Sequence, residues 1–301
     1  MGSAGAFSPG HITGIFQICD GLADPLHKGS RGAGVSIEHG VETKVTLVQA
    51  RQNSVEIRVN GQETAKAEVS ETVTEAFLSQ IEKKMSVKVE HEVGIPVGSG
   101  FGSSGAAALS LALALNKALE LGLTKIEAAQ IAHSAEISCK TGLGTVLAET
   151  FGGVEIRTEP GAPGIGEVHQ IAFNDDPTVA SLIFGALSTS NALANESLRR
   201  NINKWGGKLL ASLAEEPNVE NFLRFSKSFA EHTGMITPRV RRVLEDTTNN
   251  SIASSMPMFG EGVFSIVKED QLEKLLKIYR KHGSSSRILL SKIDLQGARL
   301  L

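Results

Sequence analysis

The chain has 301 residues with a hydrophobic share of 41% and a charged share of 21%, which indicates one large or two medium globular domains. A net charge of −3 gives no broad attraction toward nucleic acid or an anionic membrane surface, so neither is an expected partner. The cysteines Cys19 and Cys139 lie far apart without metal-type spacing, and the apolar run 106–115 is shorter than the ~20 residues of a membrane span. Because the basic and apolar parts of a signal peptide are also missing, these features predict a cytoplasmic protein that acts on small molecules.

Hydrophobic periodicity predicts a chain of mixed α and β structure, with helices and strands in both halves. In the first half, the predicted order is strands 41–48 and 54–59, helix 71–84, strand 87–93, helices 104–121, 125–138 and 144–151, and strand 154–157. In the second half, it is strands 168–173 and 179–184, helices 192–205, 219–232 and 238–249, and strands 262–267 and 287–290. The Pro/Gly-rich stretch 159–166 between the halves is the best boundary signal, although loops inside domains look the same.

A run of glycines and small hydroxyl residues stands where the predicted strand 87–93 gives way to a helix. A helix N-terminus presents unpaired N–H groups and the positive end of its dipole, so it attracts anions. Glycines let the backbone approach phosphate oxygens closely, and the two serines offer a helix cap and a hydroxyl within reach of a metal ion. The run therefore predicts a phosphate cradle, with contacts from Pro96, Gly98, Gly100, Gly102, Ser103, Ser104 and Gly105.

The run also has to be compared with a dinucleotide-binding fingerprint, a Walker A loop and a site of close helix packing. Gly100, Gly102 and Gly105 match the G-x-G-x-x-G fingerprint of dinucleotide-binding proteins, but that fingerprint needs a strand after the helix. Here a second predicted helix, 125–138, follows instead, so no βαβ unit can be drawn. The Gly-Lys-[Ser/Thr] ending of a Walker A loop is absent from this run. Close helix packing remains an alternative, although three glycines and two serines at a helix start favour phosphate binding.

Two further segments carry more chemistry than their surroundings. The segment 8–14 (Ser-Pro-Gly-His-Ile-Thr-Gly) strings together small, polar and turn-forming residues where a strand ends, and an ordinary loop is the open alternative. The segment 24–34 is a predicted glycine loop that contains two cations, Lys28 and Arg31. Glycine beside arginine is typical of backbone and side chain meeting an anion together, whereas a solvated turn would also explain the charges.

Glu136 lies on a helix face of small residues, since Ala132 and Ala129 precede it at helical spacing. A carboxylate on such a close-packed face must be paired or bind a metal, because a bare buried charge is very costly. Hard oxygen ligands such as Ser104 and Glu136 suit the Mg²⁺ that accompanies phosphoryl transfer. The alternative is a glutamate paired with Lys or Arg, and His133 nearby is expected to be a core histidine.

Together these segments resemble the GHMP kinases, the superfamily of galactokinase, homoserine kinase and mevalonate kinase. The resemblance rests on the run 96–105, the Ser-Pro-Gly at 8–10, Glu136, the glycine pair at 152–153 and a C-terminal glycine loop at 255–262. Within that superfamily the segments 8–14, 24–34, 141–144 and 152–157 are similar to the archaeal pantoate kinase branch. The likeness spans nearly the whole chain.

The resemblance implies an α+β GHMP kinase fold with two domains. The N-terminal one, 1–173, would bind ATP and have a ribosomal-protein-like βαβ topology, and the C-terminal one, 174–301, would be ferredoxin-like. The implied activity is ATP-dependent phosphorylation of pantoate to 4-phosphopantoate in coenzyme A biosynthesis, with Mg²⁺ held by Ser104 and Glu136. A kinase for another small alcohol, such as homoserine or mevalonate, and a non-catalytic sensor of this fold stay open, as does assembly as a homodimer.

The expected roles of side chains follow from the same resemblance and from charge. Lys28 would neutralise the transferring phosphoryl group, and Arg31 or Arg157 would grip the pantoate carboxylate through a forked contact. Contacts to the pantoate hydroxyls are expected from Ser8, His11 and Thr13.

The chain departs from the superfamily at the position of an acid. Many members carry an Asp just after the Thr/Ser-Gly-x segment, where this chain has Gly144 and Thr145. The Lys that often partners this Asp is also absent, and His11 stands near its place. Loss of the acid need not abolish transfer, because positioning and charge neutralisation dominate and general-base help contributes only ~10²–10⁴-fold. Thr145 is therefore expected to orient the acceptor hydroxyl without acting as a base.

Overall fold

The computed structural model describes residues 2–64, 67–187 and 195–301. A large sheet forms the first half of the molecule and contains the strands β1 (Gly2–Cys19), β2 (Gly29–Gln49), β3 (Ser54–Val59), β4 (Gln62–Glu63), β5 (Met85–Val93), β6 (Val154–Glu159), β7 (Glu167–Gln170) and β11 (Arg299–Leu300). Their order is β11-β1-β2-β5-β3-β4, while β6 pairs with the first part of β2 and with β7. All pairs are antiparallel except β3 and β5, which run parallel with helix α1 (Glu68–Leu78) between them in the chain.

The segments 8–14 and 29–34 lie inside long paired strands, so the loop interpretation of both was wrong. β1 and β2 pair along nearly their whole lengths, with irregularities at Pro9/Gly10 and Thr13/Ile15. The glycines of β2 leave room for side chains of the neighbouring strands to approach the backbone closely. A Cβ at Gly32 would lie 2.2 Å from Nη2 of Arg157, and one at Gly34 would lie 2.3 Å from Nε2 of His11.

Three helices cover the large sheet in the order expected, α2 (Ser103–Leu119), α3 (Lys125–Cys139) and α4 (Thr145–Phe151). α3 begins with a capping box in which Thr124 and Glu127 satisfy each other's backbone N–H groups. Alanines and leucines of α2 pack on valines of β2 and β5, and alanines of α3 join the same apolar cluster by packing against α2. α1 ends at Leu78 and not near 84, because the polar residues that follow carry the chain back to the start of β5.

A second, antiparallel sheet contains β8 (Thr178–Ala186), β9 (Gly260–Val267) and β10 (Ile288–Ser291), in the order β10-β8-β9. Four helices accompany it, α5 (Glu196–Glu215), α6 (Val219–Thr233), α7 (Pro238–Asn249) and α8 (Glu269–His282). The helix expected at 192–205 extends further than predicted, to Glu215, and its positions 192–194 lie outside the described residues. α8 had no predicted counterpart.

The fold is α+β, as the sequence predicts. The boundary at 173/174 and the ribosomal-protein-like and ferredoxin-like descriptions stay predictions. The boundary falls between β7 of the large sheet and β8 of the small one, yet β11 returns to pair with β1. Within the described ranges, no helix has both the length and the apolar composition that crossing a membrane requires.

Candidate active site

The glycine loop between β5 and α2 adopts a backbone that only glycine takes without strain. Gly98, Gly100 and Gly102 have φ angles of +70°, +83° and +68°. A Cβ at Gly100 would lie 2.7 Å from the carbonyl oxygen of Met258, and one at Gly102 would lie 2.5 Å from Oε1 of Glu149. Conformation and crowding therefore both require glycine in this loop.

The loop leads directly into the N-terminus of α2. The N-cap is Gly102, so no side chain caps the helix, and the expected capping by Ser103 or Ser104 was wrong. The N–H groups of the first turn have no acceptor within the helix and point with its positive dipole toward the pocket beside it. This end of α2 is suited to binding an anion.

The pocket is built from four parts of the chain: strands β1, β2 and β6, the glycine loop with the start of α2, the turn from α3 to α4, and the segment before β9. Its lining residues are Thr13, Phe16, Ser30, Gly98, Gly100, Phe101, Gly102, Ser103, Ser104, Thr141, Gly142, Leu143, Gly144, Thr145, Arg157, Met258 and Phe259. The predicted cradle residues from Gly98 to Ser104 thus share a pocket with the predicted substrate residues Thr13, Thr145 and Arg157. Ser30 and Phe259 were not predicted.

The C-terminal segment 255–262 forms the wall opposite the glycine loop. The amide of Met258 donates to the carbonyl oxygen of Thr13 at 3.0 Å. A Cβ at Gly260 would lie only 1.9 Å from the carbonyl oxygen of Ser99, so the two loops touch backbone to backbone. The ring of Phe259 packs edge-on against Phe16, with centroids 5.4 Å apart, and closes the apolar side of the pocket.

Glu136 lies behind the start of α2 and is only 2% exposed. Its Oε1 accepts hydrogen bonds from Oγ of Ser104 and Oγ1 of Thr141, both at 2.6 Å. Burial raises the pKa of Glu136, and the two hydroxyl bonds act in the opposite direction. No Lys or Arg of the described ranges forms an ion pair with Glu136, so the alternative of a glutamate paired with a cationic side chain does not hold.

Glu149 of α4 is a second buried carboxylate at the same helix start, and sequence reasoning missed it. Neither of its oxygens has a hydrogen-bond partner in the part of the chain that the structure describes. Burial and the nearby charge of Glu136 raise the pKa of Glu149 well above its usual range. A Cβ at Gly105 would lie 2.9 Å from Oε2 of Glu149 and 3.3 Å from Oε2 of Glu136, so the two carboxylates flank this glycine.

The two candidate arginines differ in what they touch. Arg157 is 1% exposed, lines the pocket, and has no partner for its Nε among the described residues. Arg31 instead donates from Nε to the carbonyl oxygen of Thr158 at 2.8 Å and from Nη1 to Gln17 at 3.4 Å. Of the two, Arg157 lines the pocket and keeps a donor without a partner among the described residues.

His11 and Glu155 form a buried cluster with Arg157 behind the pocket wall. Nε2 of His11 lies 2.9 Å from Oε1 of Glu155, and Nη1 of Arg157 donates to the same oxygen. Nδ1 of His11 lies 3.3 Å from Oγ1 of Thr13, which lines the pocket. Glu155 lies in the segment 152–157 that carries the resemblance, but only Arg157 of that segment was predicted as a site residue.

Besides Glu136 and His11, which lie behind its walls, five predicted residues do not line the pocket: Ser8, Pro96, Lys28, Arg31 and Gly105. Ser8 is fully buried in β1, and Pro96 precedes the cradle without reaching its lining. Lys28 is half-buried, and its carbonyl oxygen accepts from His133, which is buried as expected for a core histidine. Together with Arg31, these side chains are not brought to the pocket.

The chain resembles known proteins along nearly its full length. Residues 68–153 match the family described as GHMP kinases N terminal domain. The pantoate kinase of Methanocaldococcus jannaschii is 35% identical over 91% of this chain and 96% of its own, and that of Thermococcus kodakarensis is 34% identical over 89% of both. A solved structure described as a phosphotransferase related to the CoA biosynthesis pathway superposes with a TM-score of 0.90 at 30% identity, covering 99% of this chain and 98% of that one.

A homoserine kinase structure from Cytophaga hutchinsonii, 16% identical, covers 100% of this chain and 98% of its own with a TM-score of 0.71, and shares the fold. Identities of 30% or more over about nine tenths of the chain go beyond a shared fold. The chain belongs to the pantoate kinase family of the GHMP kinases.

Proposed function

We propose that this protein phosphorylates a hydroxyl of pantoate with ATP, giving 4-phosphopantoate and ADP. One observation supports this most directly: the anion-binding start of α2 and the buried guanidinium of Arg157 line the same pocket. A phosphate donor and a carboxylate-bearing acceptor would therefore meet in it. The pantoate kinases similar to this chain suggest which carboxylate-bearing alcohol is bound.

In this proposal the phosphates of ATP lie against the glycine loop and the first turn of α2. Backbone N–H groups bind them, and the positive φ at Gly100 and Gly102 keeps the loop open for close approach. Phosphoryl transfer needs little covalent help from the protein, since positioning and charge stabilisation supply most of the rate.

Arg157 would bind the pantoate carboxylate. Its unpartnered Nε lies 3.3 Å from the place of a Cβ on Gly144, so a glycine there keeps this edge of the guanidinium free of a neighbouring side chain. The hydroxyl of Ser30, which lines the pocket beside Gly144, is a further donor for the acceptor. Thr145 would orient a pantoate hydroxyl, as the sequence predicts.

The residues at the start of α2 fit a Mg²⁺ ion. The hydroxyls of Ser104 and Thr141 and the carboxylate of Glu136 are hard oxygen donors, and the unpartnered oxygens of Glu149 add negative charge close by. The described residues contain no group of three His, Cys, Asp or Glu side chains arranged for a metal, so the phosphates would have to complete the coordination. Bound there by Ser104 and Glu136, Mg²⁺ would neutralise phosphate charge.

The test is an ADP-release assay with pantoate, homoserine and mevalonate side by side, each with ATP and Mg²⁺. We expect turnover with pantoate to exceed that with the other two alcohols by at least about 100-fold, because homoserine carries an ammonium group in place of the second hydroxyl and mevalonate has a longer carbon chain between its carboxylate and its terminal hydroxyl. Preferred turnover of homoserine or mevalonate would contradict the proposal. Tight binding of ATP without turnover of any of them would support the sensor alternative.

A further inference from the structure

The proposed function leaves open which group takes the proton of the acceptor hydroxyl, because Thr145 stands where many superfamily members carry an acid. The structure contains a row of three hydrogen-bonded side chains, Glu155, His11 and Thr13, to which no role has been assigned and which ends at the pocket. Oγ1 of Thr13 lies 3.3 Å from Nδ1 of His11, and Nε2 of His11 lies 2.9 Å from Oε1 of Glu155. Catalytic hydrogen bonds are often long until the reactants are in place, so 3.3 Å is compatible with a working contact.

Three neighbouring strands of the large sheet position these side chains. Thr13 of β1 lies opposite Gly34 of β2, and Gly34 lies opposite Glu155 of β6. Because a Cβ at Gly34 would lie 2.3 Å from Nε2 of His11, only glycine lets the imidazole cross β2 to reach Glu155. His11 and Glu155 are both within 1% of full burial, so water does not compete for these contacts.

The neighbours of His11 determine which of its nitrogens carries the proton. Arg157 donates to the same oxygen of Glu155, so that oxygen serves as a hydrogen-bond acceptor. A carboxylate only accepts hydrogen bonds, so Nε2 of His11 must carry the proton that points at it. Nδ1 is then an acceptor and faces the hydroxyl of Thr13.

We propose that Thr13, His11 and Glu155 form a proton relay that activates the acceptor hydroxyl, an inference that rests on the proposed function. The hydroxyl proton of pantoate passes to Oγ1 of Thr13 as the Thr13 proton passes to Nδ1 of His11. The pantoate oxygen forms its bond to the γ-phosphorus while the bond from that phosphorus to the leaving ADP oxygen breaks. Glu155 positions the imidazole and stabilises the imidazolium.

Two charged groups of β6, Glu155 and Arg157, face the His11 ring. Oε1 of Glu155 lies 2.9 Å from Nε2 of His11, whereas Nη1 of Arg157 lies 3.5 Å from it. The shorter contact makes the carboxylate the group that holds the imidazole in place.

The relay is hydrogen-bonded through its backbone to the glycine loop and to the wall segment before β9. The amide of His11 donates to the carbonyl oxygen of Phe101 at 3.0 Å, and the carbonyl oxygen of Thr13 accepts from Met258 at 3.0 Å. The hydroxyl of Thr13 is therefore held beside the cradle that would orient the γ-phosphate.

The decisive experiment compares Thr13→Val and Thr13→Ser with Thr43→Val. Oγ1 of Thr43 is hydrogen-bonded to another buried histidine, His91, at 2.7 Å, and Thr43 lies outside the pocket lining. Thr43→Val therefore removes the same kind of threonine–histidine hydrogen bond at a place that is not part of the relay. We expect Thr13→Val to lower kcat for pantoate by about 100-fold or more with little change in either KM, and Thr13→Ser to restore most of it. Thr43→Val should keep the wild-type kcat.

His11→Gln supplies the second arm, since glutamine keeps a polar group at that place but cannot take up a proton. We expect kcat to fall as in Thr13→Val while calorimetry still detects binding of pantoate. A kcat within about tenfold of wild type for Thr13→Val or His11→Gln would overturn the relay. If the wild-type protein itself fails to turn over pantoate, the proposed function fails instead.

Discussion

Oε1 of Glu149 lies 2.5 Å from the place that a Cβ on Gly102 would occupy, so this buried carboxylate packs directly against the glycine loop of the cradle. Gly102→Ala should therefore lower kcat/KM for ATP by about 100-fold, since a displacement of about 1 Å in a positioning group has that effect. Steady-state kinetics measures the loss.

Gly122→Ala is the control, because Gly122 also has a positive φ, +73°, but a Cβ there meets no described atom within 4 Å. That variant should lose about 1–2 kcal/mol of stability and no activity. Equal kinetics for the two variants would show that the contact with Glu149 is unimportant.

Glu136→Gln should abolish Mg²⁺-dependent turnover. The substitution keeps an acceptor for the hydroxyls of Ser104 and Thr141 but removes the charge that Mg²⁺ would need. The rate is to be measured against Mg²⁺ concentration, with Glu71→Gln, an exposed glutamate of α1, as the control. Near-normal activity of Glu136→Gln over the whole titration would remove the metal assignment.

Arg157→Lys should raise the KM for pantoate by at least about tenfold, because lysine keeps the charge and loses the forked contact with a carboxylate. Arg31→Lys should change it by less than about threefold, since the donors of Arg31 already bond Thr158 and Gln17. Because Arg157 also bonds Glu155, thermal unfolding must show that the variant is folded. The reverse order of effects would move the carboxylate site to Arg31.

Thr145→Asp introduces the acid that many superfamily members carry, and it tests the relay from the other side. In the wild-type background, we expect activity to be kept or raised. In the Thr13→Val background, the new carboxylate should recover at least about tenfold of the lost kcat, because a second base then faces the pocket. A dead Thr145→Asp protein that still folds would mean that the position serves shape.

His91 should make the protein less stable in mild acid. It is 2% exposed, bonds the hydroxyls of Thr43 and Ser70, and burial lowers its pKa from 6.5 to about 4. The folded protein keeps it neutral while the unfolded chain protonates it, so its contribution is complete above pH 6.5 and is lost as the pH falls through 4. Over that range roughly 3 kcal/mol of unfolding free energy should disappear. Urea titrations of wild type and His91→Gln should show a flatter pH dependence for the variant, and parallel curves would contradict the assignment.

The cradle could be predicted from sequence because its signal is local. Positive φ at Gly98, Gly100 and Gly102 and the start of α2 at Ser103 follow from residues that are adjacent in the chain. The pairing of β1 with β2 could not, since the glycines of both strands suggest loops until the side chains that fill their space are known. Gly34 is required by His11, and Gly32 by Arg157.

The rest of the site depends on contacts between distant parts of the chain. The choice between Arg31 and Arg157 depends on which guanidinium is already bonded, and that is visible only in the folded protein. Glu149 belongs to no motif, and Glu155 lies in the segment 152–157 without any feature that distinguishes it there; both are buried beside the pocket. Ser30 stands in the sequence between the cations Lys28 and Arg31 without a motif of its own, and only the fold places it in the pocket lining.

The backbone contact between Ser99 and Gly260 has a consequence for how the phosphate motif can be used. The segment 68–153 that matches the family contains the whole cradle sequence, yet the wall formed by Met258 and Phe259 comes from far along the chain. A shortened protein that keeps the motif and ends before that wall would carry the recognisable signature without the shape. For this fold, the signature in a gene fragment indicates ancestry, while the complete lining of the pocket takes residues from both halves of the chain.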